Sequence, residues 1–299
     1  MIEITFLGTS SMFPTKTRNH AALLLRREGD YMLFDCGEGT QRQLRIAGIS
    51  PFKINHIFLT HWHGDHSLGV GGIVQSMSAN KRRHKLYIYG PEARSRVNMI
   101  VDTYVFHKGY EIETKDVDAP EVSIVAENNN WKVKALNVIH GTKCVAYRFE
   151  ESGMRKINME YVGKFGLKRH RILGKLQNGE DITYKGNKIT VEDGTFIKPG
   201  KSVVYITDTK YFDELIDFAK DADILICEAT YSKDESKEKL ERTHFTADKA
   251  AELAKDANVK KLILTHFSQR YVNMKPLLTE AKKKFDDVEI AEDFMRVKL

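Results

Sequence analysis

The chain has 299 residues, of which 41% are hydrophobic and 29% charged, as is ordinary for a globular protein. No apolar run approaches the ~20 residues that cross a bilayer, and the N-terminus lacks the layout of a signal peptide. Three scattered cysteines argue against a disulfide framework and predict a cytoplasmic location. The net charge of +6 permits a polyanionic partner, although a solvated basic surface is the commoner cause of such a charge.

The first half of the chain reads as short apolar strands followed by loops and helices. We predict strands at residues 2–7, 21–26, 31–34, 56–59, 86–89 and 131–138, and helices at 40–47, 67–79 and 93–104. The second half repeats this alternation, which predicts a layered α/β sandwich. Its predicted strands are 203–207, 224–228 and 261–264, and its predicted helices are 213–220, 246–255 and 274–284.

A dense group of metal-ligand side chains follows the apolar strand at 56–59. His61, His63, Asp65 and His66 lie within six residues. Crowded imidazoles and a carboxylate need a cation to offset their mutual repulsion and lost hydration. Without thiolates, this set suits Zn²⁺, Mn²⁺ or Fe. The alternative is an exposed polar loop, which would not require this concentration of ligands.

Three further ligand-type residues each follow an apolar strand. His140 follows 138–139, Asp208 follows 205–206, and His266 follows 262–264. Loops at strand ends commonly carry function, although any one of these residues is more often a capping or core polar group. Together with the 61–66 loop they make seven candidates, which is enough for two metal ions.

Residues 152–188 differ in character from the rest of the chain. They contain nine Lys or Arg and three acidic residues. Composition alone favours a solvated β-ribbon or a flexible insertion. A basic arm that grips nucleic-acid phosphates is the functional alternative.

Several motifs together give the chain a resemblance to a known family. The 61–66 loop has the His-x-His-x-Asp-His pattern of the metallo-β-lactamase superfamily. Segment 14–19 is similar to the Pro-x-Lys-x-Arg-Asn loop of the ribonuclease Z family, which processes the 3′ end of tRNA. Segments 35–40, 228–230 and 265–271 resemble its Asp-x-Gly-Glu-Gly-Thr, Glu-Ala-Thr and Thr-His-x-Ser-x-Arg-Tyr motifs. The resemblance covers nearly the whole chain.

The resemblance implies a fold and a cofactor. We expect a four-layer αββα sandwich, formed by a single domain over 1–299, with a projecting, inserted tRNA-binding arm at about 150–200. We also expect two zinc ions per subunit, with Mn²⁺ or Fe as possible substitutes. By resemblance, His61, His63 and His140 would hold one ion, Asp65, His66 and His266 the other, and Asp208 would bridge them.

The resemblance also implies an activity and roles for further residues. The enzyme would remove the 3′ trailer from precursor tRNA and leave a 3′-hydroxyl on the tRNA. Asp65 would act as general base, while His244, oriented by Glu228, would stabilise phosphate charge or protonate the leaving oxygen. A homodimer is implied as well. Candidate contacts to tRNA are Lys16, Arg18, Lys168, Arg169 and Arg171.

Two other functions compete with this reading. A hydrolase of a small phosphodiester or other small ester would need the metal loop, but it would leave the basic segment without a purpose. A non-catalytic RNA-binding module would not require ligands at seven positions. Turnover of a small ester should change little with salt, whereas RNA binding should weaken steeply.

Overall fold

The computed structural model describes residues 1–104, 109–233 and 244–299, which fall into two compact units. Unit 1 comprises Met1–Glu127, Val133–Phe149 and Ser202–Leu299. Unit 2 comprises Asn128–Lys132 and Glu150–Lys201. No described helix is long and apolar enough to span a bilayer.

The first sheet of unit 1 has the strand order β18-β1-β2-β3-β4-β5-β6. Strands β18, β1, β2 and β3 pair antiparallel with their neighbours, whereas β3, β4, β5 and β6 run parallel. The carboxyl ends of β3 and β4 therefore lie at the same edge of the sheet. Its strands are β1 (Ile2–Gly8), β2 (Ala22–Arg27), β3 (Asp30–Phe34), β4 (His56–Phe58), β5 (Leu86–Gly90), β6 (Ile112–Asp116) and β18 (Arg296–Lys298).

The second sheet has the order β17-β16-β15-β14-β9-β8-β7, and β14 to β17 run parallel. The carboxyl ends of β14, β15 and β16 therefore meet at one edge. Its strands are β7 (Ser123–Glu127), β8 (Trp131–Val138), β9 (Cys144–Glu151), β14 (Ser202–Ile206), β15 (Ile224–Glu228), β16 (Leu262–Thr265) and β17 (Val288–Ile290).

The two sheets of unit 1 face each other through aromatic side chains. The ring of Tyr147 lies 5.8 Å from Phe34 and 5.4 Å from Phe58, and its hydroxyl donates to the Leu59 carbonyl at 2.8 Å. Tyr205 lies 6.1 Å from Phe34. These contacts tie strands of one sheet to strands of the other.

Helices cover the outer face of each sheet, so the predicted αββα sandwich is confirmed. Val70, Ile73 and Val74 pack with Leu33 and Ile57 of the first sheet, and an equivalent apolar cluster joins the second sheet to its helices. A 3₁₀ turn spans Pro51–Lys53. The helices of unit 1 are α1 (Thr40–Ile46), α2 (Gly64–Ser67), α3 (Gly69–Ala79), α4 (Ala93–Thr103), α8 (Glu214–Ala219), α9 (Ala247–Asp256) and α10 (Lys275–Ala281).

Unit 2 has a hydrophobic core of its own. Val162, Leu167, Leu176, Ile182 and Ile189 are buried together. Two β-ribbons, β10 with β13 and β11 with β12, accompany three short helices. Their bounds are β10 (Met154–Ile157), α5 (Met159–Gly163), α6 (Leu173–Gln177), β11 (Ile182–Tyr184), β12 (Asn187–Ile189), α7 (Val191–Gly194) and β13 (Thr195–Lys198).

Candidate metal centre

All seven predicted ligands lie in one cluster at the carboxyl ends of strands. The loop after β4 and the one-turn helix α2 carry His61, His63, Asp65 and His66. The other three residues follow strands of the second sheet, two of which, β14 and β16, belong to its parallel part. His140 follows β8, Asp208 follows β14, and His266 follows β16.

The backbone after β3, β14 and β16 is left-handed at one residue each, which is uncommon for residues other than glycine. The φ angles are 56° at Asp35, 47° at Asp208 and 58° at His266. Such conformations cost on the order of 1–3 kcal/mol and concentrate at functional sites. Gly37 allows the turn after β3 to reach the ligand loop, because a Cβ there would lie 2.2 Å from the Asp65 carbonyl oxygen.

Three histidines form the first ligand group. Nε2 of His61 lies 2.9 Å from Nδ1 of His63, and Nε2 of His140 lies 3.3 Å from that same Nδ1. His61 is fully buried, and burial lowers its pKa well below the usual value. A neutral imidazole has a free lone pair for a metal ion.

The second group lies against the first and shares Asp208 with it. Nε2 of His66 lies 3.1 Å from Nε2 of His266 and 3.4 Å from Oδ2 of Asp65. Oδ2 of Asp208 lies 2.6 Å from Nε2 of His66 and 3.5 Å from Nε2 of His61. Asp208 is therefore within reach of ions held by either group.

Outer contacts orient these rings so that Nε2 faces the centre. Nδ1 of His66 lies 2.8 Å from Oδ2 of the fully buried Asp35, which also accepts a hydrogen bond from the Tyr205 hydroxyl at 3.0 Å. Nδ1 of His61 lies 3.0 Å from the Thr60 hydroxyl. Nδ1 of His266 lies 3.1 Å from the Thr230 hydroxyl. Metal-binding histidines commonly have partners of this kind on their second nitrogen.

The charge in the cluster keeps both of its carboxylates ionised. Burial alone would raise the pKa of Asp208, but the His266 and His66 rings hold it well below its usual range. His266 and His66 likewise lower the pKa of Asp65 against the effect of burial. Oδ1 of Asp208 is buried and accepts no well-directed hydrogen bond from the described residues. The residues present therefore fit divalent metal ions, which would satisfy these oxygens and converging nitrogens.

His244 lies beside this cluster and is held by two carboxylates. Its Nδ1 lies 3.0 Å from Oε2 of Glu228 and 3.1 Å from Oδ1 of Asp208. Burial would lower the pKa of His244, but Glu228 and Asp208 raise it to about 11. Glu228 is itself fully buried and accepts a hydrogen bond from the Thr209 backbone. The ring is thus fixed in place, and both carboxylates favour its protonated form.

The predicted tRNA contacts lie in different surroundings. Lys16 is exposed, and Lys168, Arg169 and Arg171 are exposed on unit 2. Arg18 is partly buried, and its Nη2 donates to the carbonyl oxygens of Tyr271 at 2.9 Å and Ser268 at 3.3 Å. The guanidinium therefore joins loop 14–19 to the loop after β16.

Sequence reasoning missed several residues at this site. His20 lines the cavity and is buried, but it precedes β2 instead of following a strand. Thr60, Thr230 and Tyr205 contact the ligand rings or Asp35. Thr230 belongs to the Glu-Ala-Thr motif, which was a signal, whereas nothing in the sequence marked Tyr205.

Two family models match parts of the chain. The model described as "Anti-Pycsar protein Apyc1" matches residues 2–98, and "Beta-lactamase superfamily domain" matches residues 186–267. The short form of human tRNase Z is similar in structure, with a TM-score of 0.72 and 25% identity over 99% of this chain and 98% of that one. The metallo-β-lactamase-fold protein YhfI from Bacillus subtilis has a TM-score of 0.71 and 20% identity over 99% of this chain and 98% of that one, which concerns the fold alone.

Sequence relatives match the chain from end to end. The ribonuclease Z of Methanothermobacter thermautotrophicus is 39% identical over 100% of this chain and 97% of that protein. The ribonuclease Z of Archaeoglobus fulgidus is also 39% identical, over 100% of this chain and 98% of that protein. With this degree of identity along the whole length, the chain belongs to the ribonuclease Z family.

Proposed function

We propose that this protein is a zinc-dependent endoribonuclease that removes the 3′ trailer from precursor tRNA. The single observation that carries the proposal is the convergence of seven metal-ligand side chains in one cluster of a chain that belongs to the ribonuclease Z family. The products are a tRNA with a 3′-hydroxyl and a trailer with a 5′-phosphate.

We assign the metal ions to the two ligand groups. His61, His63 and His140 would hold one ion, Asp65, His66 and His266 would hold the other, and Asp208 would serve as a further ligand within reach of both groups. Two zinc ions per subunit suit imidazole and carboxylate ligands, and Mn²⁺ or Fe are alternatives of the same chemical type. When bound, such ions neutralise phosphate charge and lower the pKa of a coordinated water.

The protein's own residues direct the proton transfers. Asp65 accepts a proton from the attacking water while the oxygen of that water bonds to phosphorus. The bond between phosphorus and the 3′ oxygen of the tRNA breaks, and His244 donates a proton to that oxygen. Glu228 holds Nδ1 of His244, at 3.0 Å, so that Nε2 is available for this transfer.

The substrate contacts lie outside this centre. Lys16, Lys168, Arg169 and Arg171 are exposed cations that can contact tRNA phosphates, and unit 2 is proposed to be the tRNA-binding arm. Arg18 is proposed to support this binding by holding loop 14–19. We further propose a homodimer and a cytoplasmic location, the latter supported by three free, buried cysteines.

Mapping of cleavage ends on a 5′-labelled precursor tRNA with a 3′ trailer tests the proposal. With Zn²⁺, the wild-type protein should make one cut next to the acceptor stem and leave a 3′-hydroxyl, and chelation should abolish the cut. Asp65→Ala should also abolish it. Scattered cuts that persist in this variant would contradict the proposal.

A further inference from the structure

We infer that the apolar rim of the metal cavity binds a nucleobase next to the scissile phosphate and that the ring of Phe13 stacks on it. This inference rests on the proposed function and deepens it, because it assigns a substrate subsite. The rim consists of Met12, Phe13 and Leu68, which line a cavity of about 460 Å³. The same cavity is lined by ligands of both metal groups, including His63, Asp65, His140 and His266.

The exposure of the rim is unusual beside a polar centre. Met12 is 69% exposed, Phe13 55% and Leu68 59%. Three large apolar side chains grouped at a cavity mark a surface that a ligand covers. Metal binding alone requires none of them, since the ligands and their outer contacts are polar.

The backbone that carries Phe13 is fixed to the metal centre. The Met12 N–H donates to Oδ2 of Asp65 at 2.8 Å, and the Ser11 N–H donates to the Phe267 carbonyl at 3.0 Å. The Ser10 hydroxyl donates to the Phe13 carbonyl at 2.6 Å. Met12 has a φ of 38°, so the segment adopts a conformation that needs these supports. The ring is therefore presented by an ordered segment, which reduces the entropic cost of binding.

Leu68 is held close to the ligand loop as well. A Cβ on Gly64 would lie 2.9 Å from Cδ1 of Leu68, so the leucine side chain lies over the residue that precedes Asp65. Leu68 thus lies next to the segment that carries Asp65, and Phe13 follows the residue whose N–H is bonded to Asp65. A phosphodiester at the metal centre brings its flanking groups to this rim.

The chemistry of RNA identifies the group that fits. Of the parts of a nucleotide, the sugar and phosphate are polar, and the base has a flat face that stacks on aromatic side chains. Stacking tolerates different bases, because every base has such a face. The subsite should therefore respond to the presence of the base more than to its identity.

Single-turnover cleavage of precursor tRNAs by Phe13 variants tests the subsite. One precursor is unmodified, and two others carry an abasic nucleotide on the 5′ or 3′ side of the cleaved bond. Phe13→Ala should slow cleavage of the unmodified precursor roughly 5- to 160-fold, since stacking contributes about 1–3 kcal/mol per base and 1.36 kcal/mol is a factor of ten. Phe13→Trp should keep the wild-type rate, because its ring can also stack, whereas Phe13→Leu should be as slow as Phe13→Ala.

The abasic precursors separate stacking from a general defect. On the abasic precursor that lacks the stacked base, the wild type should cleave as slowly as Phe13→Ala cleaves the unmodified precursor. Phe13→Ala should cleave that abasic precursor no more slowly than it cleaves the unmodified one. Met99→Ala, which removes another side chain that is 60% exposed, should behave as wild type on every precursor. Metal content and the thermal midpoint of each variant are measured alongside.

Two outcomes would overturn the inference in different ways. If Phe13→Ala loses the same factor on all three precursors, or loses bound metal, Phe13 supports the centre and binds no base. If the wild type leaves the unmodified precursor uncut, the proposed function fails together with the subsite.

Discussion

Lys16 and Arg18 lie two positions apart on one loop, but their side chains are in different surroundings. Lys16 is exposed, whereas Nη2 of Arg18 donates to two backbone carbonyls of the loop after β16. Burial lowers the pKa of Arg18, partly offset by the nearby Asp293. Because Asn19 also donates its N–H to Asp293 at 2.8 Å, this part of the loop is anchored at two points.

Substitution of these two residues should therefore give different defects. Arg18→Lys should lower the free energy of unfolding by about 1–3 kcal/mol, because a lysine cannot reproduce the guanidinium's fixed donors and the carbonyls lose charged partners. Lys16→Ala should change it by no more than about 0.5 kcal/mol but weaken precursor binding. Urea unfolding and tRNA binding at fixed salt measure both. Wild-type stability of Arg18→Lys with a binding loss like that of Lys16→Ala would indicate phosphate contact instead.

The cluster of candidate ligands could be predicted from the sequence, but several residues that contact it could not. The sequence marked His140, Asp208 and His266 because each follows an apolar strand, and the parallel strands β14 and β16 bring Asp208 and His266 to one edge of the sheet. Tyr205 lies inside such a strand and reads as an ordinary core residue. Its hydrogen bond to Asp35 crosses 170 positions in the chain, and such a contact depends on how the two sheets pack.

At the scale of structural elements, the structure of unit 2 differs most from the structure that its composition predicted. Its basic sequence suggested a solvated ribbon or a flexible insertion, and it does contain two ribbons. It also contains three helices of four or five residues around a small core. Helices this short have little periodicity, which explains why the sequence pattern did not reveal them.

The core of unit 2 determines how its role should be tested. Deletion of residues 156–176 would remove Val162, Leu167 and Leu176 and leave Ile182 and Ile189 without their packing partners. Loss of activity would then report unfolding of the unit. Substitution of exposed charges avoids this difficulty, since the core remains intact.

We expect the triple variant Lys168→Gln, Arg169→Gln and Arg171→Gln to bind precursor tRNA less tightly and with a weaker salt dependence. Each lost phosphate contact should reduce the slope of log K against log salt by about 0.7–0.9. Cleavage of a small phosphodiester should not change. The control is Lys255→Gln, Lys282→Gln and Lys283→Gln, which removes three exposed charges from α9 and the end of α10. Equal slopes in the two triple variants would exclude unit 2 as a specific docking surface.

On the scale of the whole molecule, the proposed metal centre contains residues from both sheets of unit 1. His61, His63, Asp65 and His66 follow a strand of the first sheet, and His140, Asp208 and His266 follow strands of the second. Asp208, which follows a strand of the second sheet, has its carboxylate within 3.5 Å of the nitrogens of His61 and His66 in the first-sheet loop. A metal ion bound at this seam stabilises the folded state, because the unfolded chain does not assemble the ligands.

Metal removal should therefore lower the stability of the wild type. A ligand at 1,000 times its dissociation constant contributes about 4 kcal/mol, which corresponds to a shift in thermal midpoint of about 8–16 °C for a unit of this size. Asp208→Asn should bind less metal by elemental analysis and show a smaller shift on chelation, since the amide supplies a weaker ligand in the shared position. Asp256→Asn alters an exposed carboxylate at the end of α9 and should match the wild type in both measurements. A wild type that releases its metal without any change in midpoint would show that the ions act only in the chemistry and do not hold the sheets together.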